Sequence, residues 1–144
     1  MSRRYIFVIA LIALFSTIGL AQPSSDRYYN AEVASVYDGD TVRMNLELGI
    51  GVWIRNEPIR LHGIDAPEVR GSERPQGLLA KEALISLITD HKLSVQTYND
   101  KRGKYGRIIG TIWALGNGDW CPKEMWCNVN EQLVIMGHAT EETY

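Results

Sequence analysis

From residue 31 onward most of the chain is written in a two-residue period. Residues 31–36 alternate, Asp38-Gly39 marks a turn, and residues 41–48 alternate again through Val42, Met44, Leu46 and Leu48. Alternation of this kind lays one apolar row along one face of a strand. Gly49 and Gly51 interrupt the run before Val52-Trp53-Ile54. A further strand is predicted over residues 59–64, ending where Pro67 bars Ala66 from the helical region. Helix signals begin only after Gly77: over residues 78–89, Leu79, Ala80, Ala83, Leu84, Leu87 and Ile88 recur at three- and four-residue steps and make one amphipathic face. Leu93, Val95 and Thr97 predict a strand, and residues 107–115 another. Residues 129–136 predict a short closing helix, capped by Asn128 or Asn130 and ended at Gly137. There is no internal repeat and no low-complexity tract. About five strands, one helix inserted late and one at the end predict an α+β domain on a small, partly open β-barrel.

Ahead of this pattern lies a different one. Arg3 and Arg4 precede an uncharged stretch over residues 6–20, followed by Gly19-Leu20-Ala21 and then Gln22-Pro23. A basic start, an apolar stretch of 15 residues and small residues at a cleavage position predict a signal peptide over residues 1–21. Fifteen residues fall short of the ~20 that a membrane-spanning anchor needs. Residues 22–30 read as a polar leader, and residues 31–144 as the domain. The protein is therefore expected to be secreted or periplasmic, without stable membrane association after cleavage, and monomeric.

Composition adds limits. The chain has 144 residues, 45% of them hydrophobic and 22% charged, which supports one globular domain. Fifteen Lys and Arg against 17 Asp and Glu exclude a coat protein held to nucleic acid by bulk positive charge. The balance is not even along the chain: residues 55–107 hold ten Lys and Arg against seven Asp and Glu, a local +3. Export changes how Cys121 and Cys127 read. In an oxidising compartment they are expected to pair, closing a surface loop. Six residues apart with no histidine at ligand spacing they make a poor zinc site, and Cys-x-x-Cys is absent.

Chemistry concentrates in two acidic groups. Asp38-Gly39-Asp40-Thr41 occupies a hairpin turn, and Asp65-Ala66-Pro67-Glu68 a strand end. Either alone is an ordinary turn sequence. Together they offer the oxygen ligands that hard divalent cations take, six to eight at ~2.3–2.6 Å for Ca²⁺. An EF-hand beginning at Asp38 fails, because it would need an oxygen ligand where Val42 stands, Gly where Arg43 stands and Glu where Gly49 stands. Arg60 and Arg107 are the side chains suited to a bidentate grip on phosphate. Arg60 and Asp65 have opposite parity on an ideal strand, so a shared site requires a bend between them. His62, His91 and His138 have no partners at the spacings of nucleophilic or zinc-hydrolase motifs.

Three motifs in order, Tyr37-Asp-Gly-Asp-Thr41, Ile59-Arg-Leu-His-Gly-Ile-Asp-Ala-Pro-Glu68 and Lys104-Tyr-Gly-Arg107, resemble those of the staphylococcal nuclease (thermonuclease) family of calcium-dependent phosphodiesterases. Residues 75–84 resemble its helix entrance and residues 129–137 its closing helix, so the likeness spans about residues 31–139. It implies a five-stranded OB-fold-type β-barrel with two to three helices. It implies Ca²⁺ held by Asp40, Asp65 and the Ala66 carbonyl, with Asp38 orienting the cluster and Thr41 a further candidate at the metal. Glu68 matches the glutamate that activates or positions the attacking water. Arg60 and Arg107 match the arginines on the scissile phosphate, and Lys104 and Tyr105 those near a terminal phosphate. Single- and double-stranded DNA and RNA are the implied substrates, cleaved with loss of the 5′ oxygen to leave 3′-phosphate ends.

Three departures stand out. The family's second nucleotide-contacting tyrosine falls on Thr143, with Tyr144 one place off. Residues 120–127 are an insertion outside the pattern. The loop between Glu68 and Gly77 is shorter than in the staphylococcal enzyme. A nuclease-like module that only binds nucleic acid or protein is the alternative; such modules lack part of the acid and arginine set, whereas all six positions are filled here. A calcium-binding adaptor would need neither Arg60 nor Arg107. Asp38, Asp40, Asp65 and Glu68 against Arg60 and Arg107 leave a charge of −2, which one Ca²⁺ would neutralise.

Overall fold

Alternating apolar residues become strands because an extended backbone sends successive side chains to opposite faces. In the computed structural model, which describes residues 26–143, strand β2 (Thr41–Gly49) buries Val42, Met44 and Leu46 completely or nearly so and leaves Arg43 exposed. The expected signal segment, the first part of the leader and Tyr144 lie outside the described residues. β2 sits between β1 (Asp26–Val36) and β3 (Val52–Leu61), antiparallel to both. β5 (Lys92–Arg102), β6 (Ile108–Leu115) and β7 (Trp126–Asn128) complete a six-stranded sheet in the order β3-β2-β1-β5-β6-β7. β3 also pairs in parallel with β6, Ile59 with Ile108 and Leu61 with Gly110, so the sheet curls back on itself in the general manner of an OB-like fold. A second, two-stranded ladder joins β4 (Ile64–Asp65) to β8 (Thr140–Glu141).

Two α-helices cover the apolar face. α1 (Arg74–Ile88) contributes Ala80, Leu84 and Leu87, and α2 (Val129–Ile135) contributes Val129 and Leu133, to a core with Ile59, Leu61, Val95 and Ile112. Each fully buried aliphatic side chain of this kind stabilises the fold by about 2 kcal/mol. The chain is thus α+β, mostly sheet, with two helices and single 3-10 turns at Gly71–Glu73 and Lys104–Gly106.

Several expectations are corrected. β1 begins at Asp26, inside the expected leader, because residues 26–31 pair with β5 while residues 31–36 pair with β2. The polar character of Arg27 and Asn30 hid this half of the strand. The two strands expected over residues 52–54 and 59–64 are one strand up to Leu61. Asn56 has φ 60° and donates its N–H to Asn45 Oδ1 at 3.0 Å, which carries β3 through a register shift. Beyond Leu61 the chain turns at His62-Gly63, so Ile64 and Asp65 belong to a separate ladder. α1 starts at Arg74, since Pro75 in the first turn forfeits only an N–H that would be unpaired anyway. Asn128 caps α2 by accepting the Glu131 N–H at 3.2 Å. Asn130 instead is buried, accepting from Ile112 N–H and donating to the His62 and Gly110 carbonyls.

Candidate active site

The first acidic group is a tight turn between β1 and β2. Tyr37 N–H and Asp38 N–H donate to the Thr41 carbonyl at 3.0 and 3.3 Å, and Asp40 N–H donates to Asp38 Oδ1 at 3.1 Å. Asp38 is thereby spent on holding the turn, and it is buried. Only glycine fits between the two acids: a Cβ on Gly39 would lie 2.6 Å from Ala80 Cβ and 2.8 Å from Ala66 Cβ. The turn is therefore pressed against both α1 and the second acidic group.

That contact is completed by hydrogen bonds. Ala66 N–H donates to Asp40 Oδ2 at 2.8 Å, and the Thr41 hydroxyl donates to Asp40 Oδ1 at 3.1 Å. Arg60, near the end of β3, spans the two acids, with Nη1 2.9 Å from Asp40 Oδ2 and Nη2 2.9 Å from Asp65 Oδ1. The turn at His62-Gly63 is what brings Asp65 to the same side as Arg60. Glu142 Oε2 lies 3.3 Å from the same Nη2. Nη1 is buried and, although close to the Asp40 charge, has no directed hydrogen bond among the described residues. Burial pushes the Asp40 carboxyl up to about 6, and the Asp38 charge adds to this, against the lowering effects of Ala66 N–H, Arg60 and Thr41.

The remaining residues are arranged more loosely. Arg107 follows the Lys104–Gly106 turn and reaches Thr41 Oγ1 with Nη1 at 3.4 Å, its guanidinium 5.6 Å from the Tyr105 ring centroid. Lys104 and Tyr105 project into solvent, Tyr105 at 90% exposure. Glu68 is also exposed. Its backbone N–H donates to Glu73 Oε2 at 3.1 Å, and its carbonyl is so close to α1 that a Cβ on Gly77 would lie 2.1 Å from it. A disulfide joins Cys121 and Cys127, and the loop it closes leads into β7, which adds an edge to the sheet beside β6. Thr143, the position on which the family's second nucleotide-contacting tyrosine falls, lines a cleft of about 440 Å³ with His62, Tyr98 and Glu142. His62 stacks on Tyr98 at 4.2 Å between centroids, and burial holds its imidazole below the usual range despite Asp26.

A metal would meet only oxygen here: the Asp40 and Asp65 carboxylates and the Ala66 carbonyl, a donor set that suits a hard divalent cation. Among the described residues no three His, Cys, Asp or Glu side chains converge as they stand, and Arg60 bridges the two acids. One residue of the cluster was not expected from sequence. Glu142 arrives through the pairing of Thr140 with Asp65 and Glu141 with Ile64, a contact across more than 70 residues that no local pattern announces.

Comparison with known proteins identifies the family. Residues 58–144 match the family described as staphylococcal nuclease homologue. A probable staphylococcal-like nuclease, CAN1, of Oryza sativa subsp. japonica is 47% identical over 68 residues, 47% of this chain and 19% of its own length. An uncharacterized 38.1 kDa protein of Capnoides sempervirens is 42% identical over 74 residues, 51% of this chain and 20% of its own. The chain thus spans about a fifth of the length of these curated relatives. The family match covers Arg60, Asp65, Glu68 and Arg107 but begins after Asp38 and Asp40, which the fold joins to it through the Ala66 amide. With well over half of its residues in that match, the chain belongs to the staphylococcal nuclease homologue family.

Proposed function

We propose that this protein is a secreted or periplasmic, calcium-dependent nuclease that hydrolyses phosphodiester bonds of single- and double-stranded DNA and RNA, leaving 3′-phosphate ends. The observation that carries the reading is Arg60 spanning Asp40 and Asp65 while Ala66 N–H holds Asp40, which gathers two carboxylates and a guanidinium at one point. The family in general uses calcium, and Asp40, Asp65 and the Ala66 carbonyl are the groups that would hold it. When bound there, the ion offsets carboxylate charge and polarises a phosphoryl oxygen. Arg60 and Arg107 donate N–H groups to the non-bridging oxygens, where charge grows as the transition state forms. Glu68 accepts a proton from water as that oxygen bonds to phosphorus. The bond from phosphorus to the 5′ oxygen breaks, and the departing oxygen takes a proton from solvent. Lys104 and Tyr105, on the turn before Arg107, would meet a neighbouring or terminal phosphate. The apolar stretch over residues 6–20 and the Cys121–Cys127 pair support export.

Glu68→Gln and Arg107→Ala test the reading, because both side chains are peripheral to the core. Each is expected to lower kcat on DNA in calcium by about 100-fold or more with the unfolding midpoint unchanged. Full activity in both variants contradicts the mechanism. Retention of DNA without digestion by the unmutated protein supports the binding-only module instead.

A further inference from the structure

The carboxylate of Glu142 belongs to none of the three motifs, yet it shares Arg60 Nη2 with Asp65. Its position is built, not incidental. β8 pairs antiparallel with β4, Glu142 N–H donates to the Gly63 carbonyl at 2.8 Å, and the Thr140 hydroxyl donates to the Asp65 carbonyl at 3.4 Å. The backbone of the C-terminal strand therefore holds Glu142 beside the guanidinium, with the side chain 42% exposed on the solvent side while that of Arg60 is 11% exposed.

A carboxylate and a phosphodiester present the same pair of oxygens to a guanidinium. We propose that Glu142 is an affinity-setting residue of the phosphate site, a built-in competitor that a substrate phosphate must displace from Arg60. This rests on the reading of Arg60 as a phosphate-binding residue. Two observations support competition over a positioning role. Arg60 is already fixed by Asp40 and Asp65 at 2.9 Å each, so Glu142 at 3.3 Å makes the longest of its three contacts and, with its side chain 42% exposed, can be displaced from the solvent side. Glu142 also brings the local count to five carboxylates against Arg60 and Arg107, so one divalent cation leaves the site at −1, not neutral. A phosphodiester that displaces the carboxylate from Arg60 removes that excess from the place where its own charge must sit.

The test uses dimethyl phosphate, a diester monoanion, titrated in calcium chloride against the full chain while the Arg60 side-chain N–H signals are followed by NMR. Glu142→Gln is expected to lower the apparent Kd about fivefold, the scale of one partly exposed ion pair. Glu141→Gln, the adjacent exposed charge, is expected to change it less than twofold. Equal affinity in unmutated protein and Glu142→Gln, an equal gain in Glu141→Gln, or no response at Arg60 in any form overturns the proposal. Steady-state kinetics on single-stranded DNA supply a second readout: KM falls about fivefold in Glu142→Gln with kcat within twofold. A fall in kcat at unchanged KM overturns it in favour of a positioning role. Should no form digest DNA while the dimethyl phosphate difference persists, the nuclease reading fails and the competition at Arg60 stands.

Discussion

Arg60 is a structural residue as well as a proposed phosphate-binding one. Its guanidinium is the positive charge within 2.9 Å of Asp40, a carboxylate that is itself buried. Removing one partner of such a pair leaves an uncompensated charge, so Arg60→Ala is expected to destabilise the protein by about 3 kcal/mol in chelator. Arg107→Ala, which removes only side-chain hydrogen bonds of 3.4 Å, is expected to change stability by less than about 0.5 kcal/mol. Urea unfolding of the two variants checks the contrast, and an equal loss in both contradicts it. The raised carboxyl of Asp40 adds a pH dependence. A proton and the proposed cation would compete for the same oxygens, and the proton would win below the folded-state value of about 6. Calcium affinity measured by calorimetry should therefore be flat from pH 7 to 8 and fall about tenfold per unit below pH 6. The effect on folding has the opposite sign. Without metal, this group favours the folded state most below its unfolded value of 3.8 and loses that contribution as pH rises through about 6. Asp38-Gly39-Asp40 was legible as a turn, since Asp-Gly is a local signal. Glu142 was not legible, because its place depends on β4 and β8 meeting.

Elements were legible where period or cap chemistry was strong and illegible where tertiary pairing overrode it. β2 and α2 lie within a residue or so of the alternation and capping signals. The start of β1 and the middle of β3 are polar, and they are extended because β5 and β2 supply the ladder partners. α1 begins earlier than its apolar face because Pro75 and Gly77, which look like breakers, have positions that suit them. Gly77 allows the first turn to approach the Glu68 carbonyl. Gly77→Ala would place a methyl group 2.1 Å from that oxygen, so either the helix start or the segment carrying Ala66 and Glu68 must move. The expected result is a loss of roughly 2 kcal/mol in stability and a fall in calcium-supported turnover, despite the better helix propensity of alanine. Unchanged unfolding and kinetics in this variant would show that the helix does not position the acidic segment.

At the scale of the molecule, the low net charge and the proposed polyanionic substrate are compatible because charge is distributed unevenly. Between residues 55 and 107 the chain carries ten Lys and Arg against seven Asp and Glu, Arg60, Arg107, Asp65 and Glu68 among them. On the proposed reading, attraction for phosphate would be local and depend on the cation, not on the overall field. The curl of the sheet is what makes this possible. Parallel pairing of Arg60 with Ile109 brings the end of β3 beside the start of β6, and with it Arg60 towards Arg107, 47 positions away in the chain. The α+β class and Asp40, Arg60 and Asp65 could be read from the sequence; the seventh and eighth strands, and the approach of Glu142 to Arg60 through the last of them, could not. The most direct test of the whole account is digestion of DNA by the purified protein across a calcium titration. The account predicts no cleavage in chelator, saturable cleavage in millimolar calcium and 3′-phosphate ends on the products. Cleavage that is undiminished in chelator, or none at any calcium concentration, would contradict it.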